Sequence, residues 1–158
     1  MTMTGGCICG AVRYETTGKT FGVQHCHCHS CRIDNGGPVV TLAGYNADQV
    51  TFSGDAHKIY ASSPGVGRAF CGTCDTPLTW EGDGGELGPI VEFYISTFDN
   101  PDVLLPTGHS FDPERFPGST SQTACPAMKV SPNAVQCCAT AWRKRAYRLR
   151  SALRLGGS

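Results

Sequence analysis

Residues 25–31 bring three thiols and three imidazoles together within seven positions, a density that core packing does not require. The thiols are those of Cys26, Cys28 and Cys31, spaced Cys-x-Cys-x-x-Cys. Zinc prefers thiolate and imidazole ligands in tetrahedral sites, so this spacing favours a zinc site. Cys26 and Cys28 would stand about 7 Å apart on one face of an ideal strand, so the backbone must bend there. Three close cysteines without an obvious fourth indicate an open coordination position, which is typical of catalytic zinc.

A second set of cysteines lies in two glycine-bearing turns, Cys7-x-Cys9 and Cys71-x-x-Cys74. Four thiols from two turns have the composition of a closed structural zinc site. Spacing alone does not decide which turns meet, and redox thiols or buried apolar cysteines are the alternatives. A redox Cys-x-x-Cys normally opens a helix in a βαβ unit, whereas residues 76–80 are typical of a strand. We therefore predict that these four cysteines bind zinc.

The polar side chains beside the middle cysteines have two interpretations each. His25, His27 and His29 could supply a fourth ligand or a proton shuttle, or each could cap backbone groups or lie exposed beside the loop. Arg32 and Arg68 could offset thiolate charge or bind a substrate carboxylate, or they could be structural arginines.

The elements that must position these groups are short strands. Runs at 20–24, 38–43, 77–81 and 89–96 have strand composition, and the last is predicted to be the longest. Two further strands, at 50–52 and 58–60, flank a turn at Gly54. No helical periodicity is visible before residue 110. The pattern predicts a mainly β domain, a small sandwich or open barrel.

Length and composition narrow the class of protein. A chain of 158 residues with 40% hydrophobic and 16% charged residues is expected to form one domain around a real core. The first residues have no basic region and no apolar run, so we expect no signal peptide. No segment approaches the roughly 18 apolar residues of a membrane span. We expect a soluble, cytoplasmic protein whose ten cysteines bind metal rather than form disulfides.

Charge is distributed unevenly along the chain although its formal sum is zero. All 13 acidic residues lie at or before Glu114, and every charged residue from Arg115 onward is basic. A basic tail usually suggests nucleic acid or an anionic membrane as partner. We expect neither nucleic acid nor an anionic membrane as partner here, because the tail is atypical and is either a frameshift product or a disordered extension.

Three motifs occur in a specific order between Gly5 and His109. They are Gly-x-Cys-x-Cys-Gly, then Cys-His-Cys-x-x-Cys-Arg, then Ser-Ser-Pro-Gly-x-x-Arg-x-Phe-Cys-x-x-Cys-x-Thr-Pro-Leu. Together they resemble the glutathione-dependent formaldehyde-activating enzyme family, also called the CENP-V/GFA domain. The turn at Asp99 resembles a further family feature.

The resemblance implies an Mss4-like β fold with two zinc ions per chain. It implies that the structural zinc is bound by the four cysteines that match the family's ligands by position, Cys7, Cys9, Cys71 and Cys74. It implies a second, catalytic-type zinc on Cys26, Cys28 and Cys31, which competing thiols can remove. The implied activity is that of a carbon–sulfur lyase that handles S-hydroxymethylglutathione, the adduct of glutathione and formaldehyde. The alternative from another class is a zinc-stabilised binding module without turnover.

The chain departs from the family pattern at two places. Asp75 stands where the family has glycine, and we expect a left-handed backbone there with mild strain. The segment after Phe116 lacks the family's usual ending. Plausible codons for that segment, read one base out of frame, can encode such an ending. We therefore predict a domain at 1–116 and an atypical basic tail at 117–158, which is either a frameshift product or a genuine disordered extension.

Overall fold

A computed structural model of the chain describes residues 1–119. The tail, with Cys125, Cys137, Cys138 and the basic cluster at 143–154, lies outside the described residues. The predictions about its origin and its boundary therefore stay predictions.

Strands dominate the described part of the chain. They are β1 Met3–Gly6, β2 Arg13–Thr16, β3 Gly22–Cys26, β4 Val40–Asn46, β5 Val50–Ser53, β6 His57–Ser63, β7 Val66–Cys71, β8 Pro77–Asp83, β9 Pro89–Tyr94 and β10 Gly108–Ser110. The single α-helix between residues 1 and 119 is α1, His29–Asn35. Short 3₁₀ turns follow at Ala47–Gln49, Gly85–Leu87, Ile95–Thr97, Pro101–Val103, Asp112–Glu114 and Pro117–Ser119.

The strands form two open sheets. A three-stranded sheet has the order β1-β2-β5, and a seven-stranded sheet has the order β10-β3-β4-β9-β8-β7-β6. Neighbours in both sheets are antiparallel, except that β10 pairs with β3 in parallel. This architecture confirms the prediction of a mainly β fold with open sheets and is consistent with the Mss4-like class.

The expectation of no helix before residue 110 is wrong. Helix α1 has only seven residues, which is too short to show a helical period in the sequence. The Cys28 sulfur caps its start by accepting from the Cys31 N–H at 3.2 Å. Gly36 ends it in a left-handed conformation at φ 70°, with its N–H donating to the Arg32 carbonyl at 2.8 Å. The Asn35-Gly36 pair was the available sequence signal for this end.

Two details of strand assignment also differ from the sequence expectation. Strand β9 spans six residues, whereas β4, β6 and β8 span seven each, because the chain turns into a 3₁₀ turn after Tyr94. Strands β5 and β6 do not form a hairpin across Gly54. Strand β5 pairs with β2 and β6 pairs with β7, so this turn carries the chain from one sheet to the other.

The seven-stranded sheet buries side chains on both of its faces. On one face Phe93 packs against Tyr14 of the small sheet, with ring centroids 4.2 Å apart, in the main core. Its neighbour Tyr94 belongs to a second cluster with Cys26 and Cys31. Successive residues of a strand point to opposite faces, so β9 serves the core with one set and the cysteine region with the other.

Asp99 fastens the turn after β9 to the small sheet. Its carboxylate accepts from the Arg13 guanidinium, at 2.9 Å for the Nη1–Oδ1 pair, and from the Thr4 hydroxyl at 2.6 Å. Its N–H donates to the Thr4 carbonyl at 2.9 Å. The hydrogen bond from Arg13 is the main reason that the pKa of Asp99 lies below its usual range.

No helix in the described residues is long and apolar enough to cross a membrane.

We expect Asp99→Asn to lower the free energy of unfolding by about 0.5–1 kcal/mol near pH 7, because the ion pair is exposed and screened by water. A lowered pKa stabilises the folded state above the unfolded value, about 3.9, and the effect is lost as pH falls through the folded pKa. Urea unfolding of both proteins at several pH values checks this. A difference that persists after the wild-type carboxylate is protonated would contradict the ion-pair explanation.

Candidate functional site

The four cysteines from the two glycine-bearing turns converge at one point. Their sulfur atoms all lie within 4.8 Å of one another, although the two turns are far apart in sequence. Cys7 and Cys71 are buried, and the other two, Cys9 and Cys74, are half-buried. Cys7 and Cys9 follow β1, whereas Cys71 ends β7 and Cys74 lies in the turn before β8. The fold therefore joins the small sheet to the large one through this cluster.

The spacing of these sulfurs fits a tetrahedral metal ion. The Cys7–Cys9 and Cys9–Cys71 sulfur pairs are 3.5 Å and 3.8 Å apart. Four thiolates about 2.3 Å from one zinc ion would be about 3.8 Å apart. The cluster can therefore hold a metal ion without rearrangement of the turns.

Local donors support anionic sulfur in this cluster. The Val12 N–H donates to the Cys7 sulfur at 3.2 Å, and the Thr73 N–H donates to the Cys71 sulfur at 3.4 Å. Burial alone would raise the pKa of Cys74, but hydrogen bonds with Thr76 and Cys9 together lower this pKa to about 6. Asp75 adopts a left-handed backbone with φ 57°, as predicted, so the turn keeps its shape without glycine.

The second cluster forms where β3 runs into α1. Cys26 is the last residue of β3, Cys28 caps the helix, and Cys31 lies in its first turn. The predicted bend is the transition from strand to helix, and it brings the three sulfurs within 4.8 Å of one another. No fourth cysteine, histidine or acidic side chain of the described residues completes this group. Three donors with an open side remain, which is the arrangement predicted from the spacing.

Arg68 places a buried positive charge beside these sulfurs. The guanidinium is 3.7 Å from the Cys31 sulfur, and its Nη1 is 3.1 Å from the Asp34 carboxylate and 3.3 Å from the Tyr94 hydroxyl. The Tyr94 hydroxyl itself donates to Asp34. Burial and this hydrogen bond raise the pKa of Tyr94, so the phenol stays protonated. Arg68 is thus held in place by two partners while facing the thiols.

A pocket of about 410 Å³ opens onto the three cysteines. Its walls include Leu42, Trp80 and Phe111, together with Arg68 and Glu92, the two charged residues of the described chain that line it. A cavity of this size can take a small organic ligand.

The three histidines that alternate with the cysteines make different contacts. The ring of His25 lies 2.9 Å from the Thr41 hydroxyl through Nδ1, and His29 is exposed with its N–H bonded to Glu114 at 2.8 Å. His27 is 2% exposed, which differs from the expected capping or exposed role. Its Nε2 lies 2.9 Å from Nδ1 of His109, and the two rings stack. Arg32 has a structural role here, because its Nε donates a hydrogen bond to the His27 backbone carbonyl at 2.9 Å.

His27, His109 and Asp112 form a third group that could hold a metal ion by distance alone. Arg115 already contacts two of its members, because the guanidinium pairs with Asp112 and lies 3.2 Å from His109 Nδ1, while the buried Nδ1 of His27 has no hydrogen-bond partner among the described residues. Burial lowers the pKa of His27, which favours the neutral ring. We interpret this group as a hydrogen-bonded network that fastens β10 and the following turn to β3.

Comparison with known proteins identifies the family. The family model for the glutathione-dependent formaldehyde-activating enzyme matches residues 2–114, which include both cysteine clusters. The chain belongs to this family. The match ends where the acidic part of the sequence ends.

Individual relatives of the family are only distantly similar. A Halomonas elongata protein whose name assigns it to the glutathione-dependent formaldehyde-activating enzymes is 34% identical over 88 residues, covering 49% of this chain and 55% of that protein. An uncharacterised lyase of Schizosaccharomyces pombe is 31% identical over 74 residues, covering 47% and 53%. The chain thus spans about half the length of these curated relatives. A crystal structure of a Rhodobacter sphaeroides protein shares the fold, with a TM-score of 0.53 and 18% identity over 68% of this chain and all of that one.

Sequence reasoning missed three residues of this site. Asp34 is a lone carboxylate in helix α1, which the sequence pattern does not predict, and Tyr94 lies in the predicted strand at 89–96, where no sequence signal points to its contact with Arg68. Glu92 was not singled out at all, although an acidic residue inside an otherwise apolar strand was a usable signal.

We expect Arg68→Met to lower the free energy of unfolding by about 2–3 kcal/mol, because it leaves Asp34 and the buried sulfur without their cation. The comparison variant Arg32→Met removes one hydrogen bond to a carbonyl and should cost about 1 kcal/mol. Urea unfolding of the metal-loaded proteins measures both. Equal losses in the two variants would show that the Arg68 network has no special stabilising role.

Proposed function

We propose that this protein is a zinc-dependent carbon–sulfur lyase that handles a small thiol–aldehyde adduct, with glutathione and formaldehyde as the substrate pair. One observation carries the proposal. Three sulfurs, which no fourth donor among residues 1–119 completes, face a pocket large enough for a small thiol, in a chain of this family. The names of the two relatives, lyase and glutathione-dependent formaldehyde-activating enzyme, agree with this reaction class.

The donor chemistry supports zinc at both clusters. Cys7, Cys9, Cys71 and Cys74 would hold one ion completely, and Cys26, Cys28 and Cys31 would hold the other with one position open. A zinc ion bound by three thiolates supplies a place where an incoming thiol loses its proton. The net reaction forms a carbon–sulfur bond, and the proton that leaves sulfur ends on the former carbonyl oxygen.

The chain's own residues prepare the pocket for an anionic sulfur. Arg68 offsets the negative charge of the cysteines, since its guanidinium is 3.7 Å from the Cys31 sulfur. Asp34 and Tyr94 fix the orientation of that guanidinium. Leu42, Trp80 and Phe111 line the pocket and exclude part of the water that would compete with the aldehyde.

The zinc content of the isolated protein tests the metal part of the proposal. We expect a value near two ions per chain, falling to near one after dialysis against glutathione, because only the three-cysteine site is open to a competing thiol. Elemental analysis before and after dialysis measures this. A value near zero in freshly purified protein would remove the metal interpretation.

We expect the Cys28→Ser variant to bind one zinc ion fewer than wild type. We also expect it to lose the acceleration of exchange between free glutathione and its formaldehyde adduct, which two-dimensional exchange NMR measures. The protein should stay folded, since the four-cysteine site is intact, whereas Cys71→Ser should unfold much of the domain. Cys125→Ser, outside the region matched to the family, is the control with unchanged exchange. If the zinc-loaded wild type shows no accelerated exchange, a binding module without turnover becomes the better explanation.

A further inference from the structure

The pocket is lined by a second charged residue besides Arg68, namely Glu92. Glu92 on β9 pairs with Trp80 on β8, and Trp80 pairs with Arg68 on β7. The two charged residues that line the pocket therefore lie in one row across the sheet. Two strand spacings separate them, so their Cα atoms are about 10 Å apart.

The two charges differ in how they are compensated. Arg68 has Asp34 as its ion-pair partner at 3.1 Å. Among the residues that the structure describes, the Glu92 carboxylate has no hydrogen-bond or ion-pair partner. A half-buried carboxylate without a partner is costly, so it favours a ligand that brings a positive charge.

The surroundings of Glu92 are apolar and aromatic. Trp80 lies directly across from it on β8, and Ile90 lies on the same face two residues earlier on β9. On the other side it pairs with Gly44, whose missing side chain leaves room for the ring of Phe21. A Cβ on Gly44 would lie 2.2 Å from the Phe21 ring, so the ring covers this position closely. Burial in these surroundings raises the pKa of Glu92.

We propose that Glu92 and Trp80 form an ammonium-binding subsite, so that the pocket selects small thiols that carry a primary ammonium group some distance from the sulfur. A carboxylate makes charge-assisted hydrogen bonds to an ammonium group, and the indole face attracts the same cation. The sulfur would lie at the cysteines beside Arg68, and the ammonium at Glu92. The inference rests on the proposed function for the position of the sulfur, and it adds which residues recognise the ammonium group of the substrate.

The test compares two thiols that differ in this one group. Glutathione carries the ammonium, whereas N-acetylglutathione keeps the thiol and both carboxylates but has a neutral amide in its place. Glu92→Gln removes the charge and keeps the shape. Glu86→Gln, in the exposed 3₁₀ turn Gly85–Leu87, makes the same change of net charge away from the pocket lining and is the matched control.

Binding to the zinc-loaded proteins is measured by calorimetry, and kcat and KM by exchange NMR. We expect wild type and Glu86→Gln to bind glutathione about 10- to 100-fold more tightly than N-acetylglutathione, the range of a charged hydrogen bond. Glu92→Gln should lose this preference by binding glutathione more weakly, with N-acetylglutathione unchanged. Its KM for glutathione should rise while kcat stays close to that of wild type.

Each other outcome decides a different question. Equal affinity of wild type for the two thiols overturns the subsite, whether or not turnover is seen. A fall of kcat for both thiols in Glu92→Gln, with binding unchanged, also overturns it, because Glu92 would then act on the reacting atoms. A preference for glutathione that depends on Glu92 but comes without turnover supports the subsite while refuting the proposed lyase activity.

Discussion

The architecture depends on a seven-stranded sheet that packs buried side chains on both of its faces. Side chains alternate along each strand, so a single strand such as β9 supplies Phe93 to the core and Tyr94 to the other side. The small sheet covers the first face through Tyr14. The second face receives the strand-to-helix segment with its cysteines and leaves a pocket beside it. Rigid packing on one face thus holds the polar groups of the other in place.

The two sulfur clusters constrain this sheet in different ways. The four-cysteine cluster joins turns from both sheets and offers four sulfur donors, the number that a closed structural zinc site uses, so it suits a structural role. The three-cysteine cluster uses neighbouring residues of one bend, and Cys28 is both a helix cap and a sulfur donor. A metal ion there would couple the position of α1 to the state of the site, because the same side chain serves both.

The charges of the pocket are arranged asymmetrically. Arg68 is buried, paired with Asp34 and close to sulfur, whereas Glu92 is half-buried among aromatic and aliphatic groups and has no partner in the part of the chain that the structure describes. The first arrangement is complete in itself and stabilises negative charge nearby. The second is incomplete, and an unpartnered polar group in a cavity is a feature that binding sites show more often than cores.

The sequence by itself indicated which residues could carry chemistry, but it did not show how they are arranged in space. Cysteine spacing predicted that Cys26, Cys28 and Cys31 form one group of sulfur donors and indicated two further cysteine turns, and short β-rich runs predicted a mainly β domain, because soft ligands and strand periods are local properties. Helix α1 could not be predicted from the sequence, because a seven-residue helix with a cysteine as its N-cap is too short to show a helical period. Only the tertiary structure brought Cys7 and Cys9 to Cys71 and Cys74, set Arg68 beside Cys31, and placed Glu92 in the pocket without a partner among residues 1–119. Those relations depend on strand order and register, which are fixed by packing between distant segments and leave no local trace in the sequence.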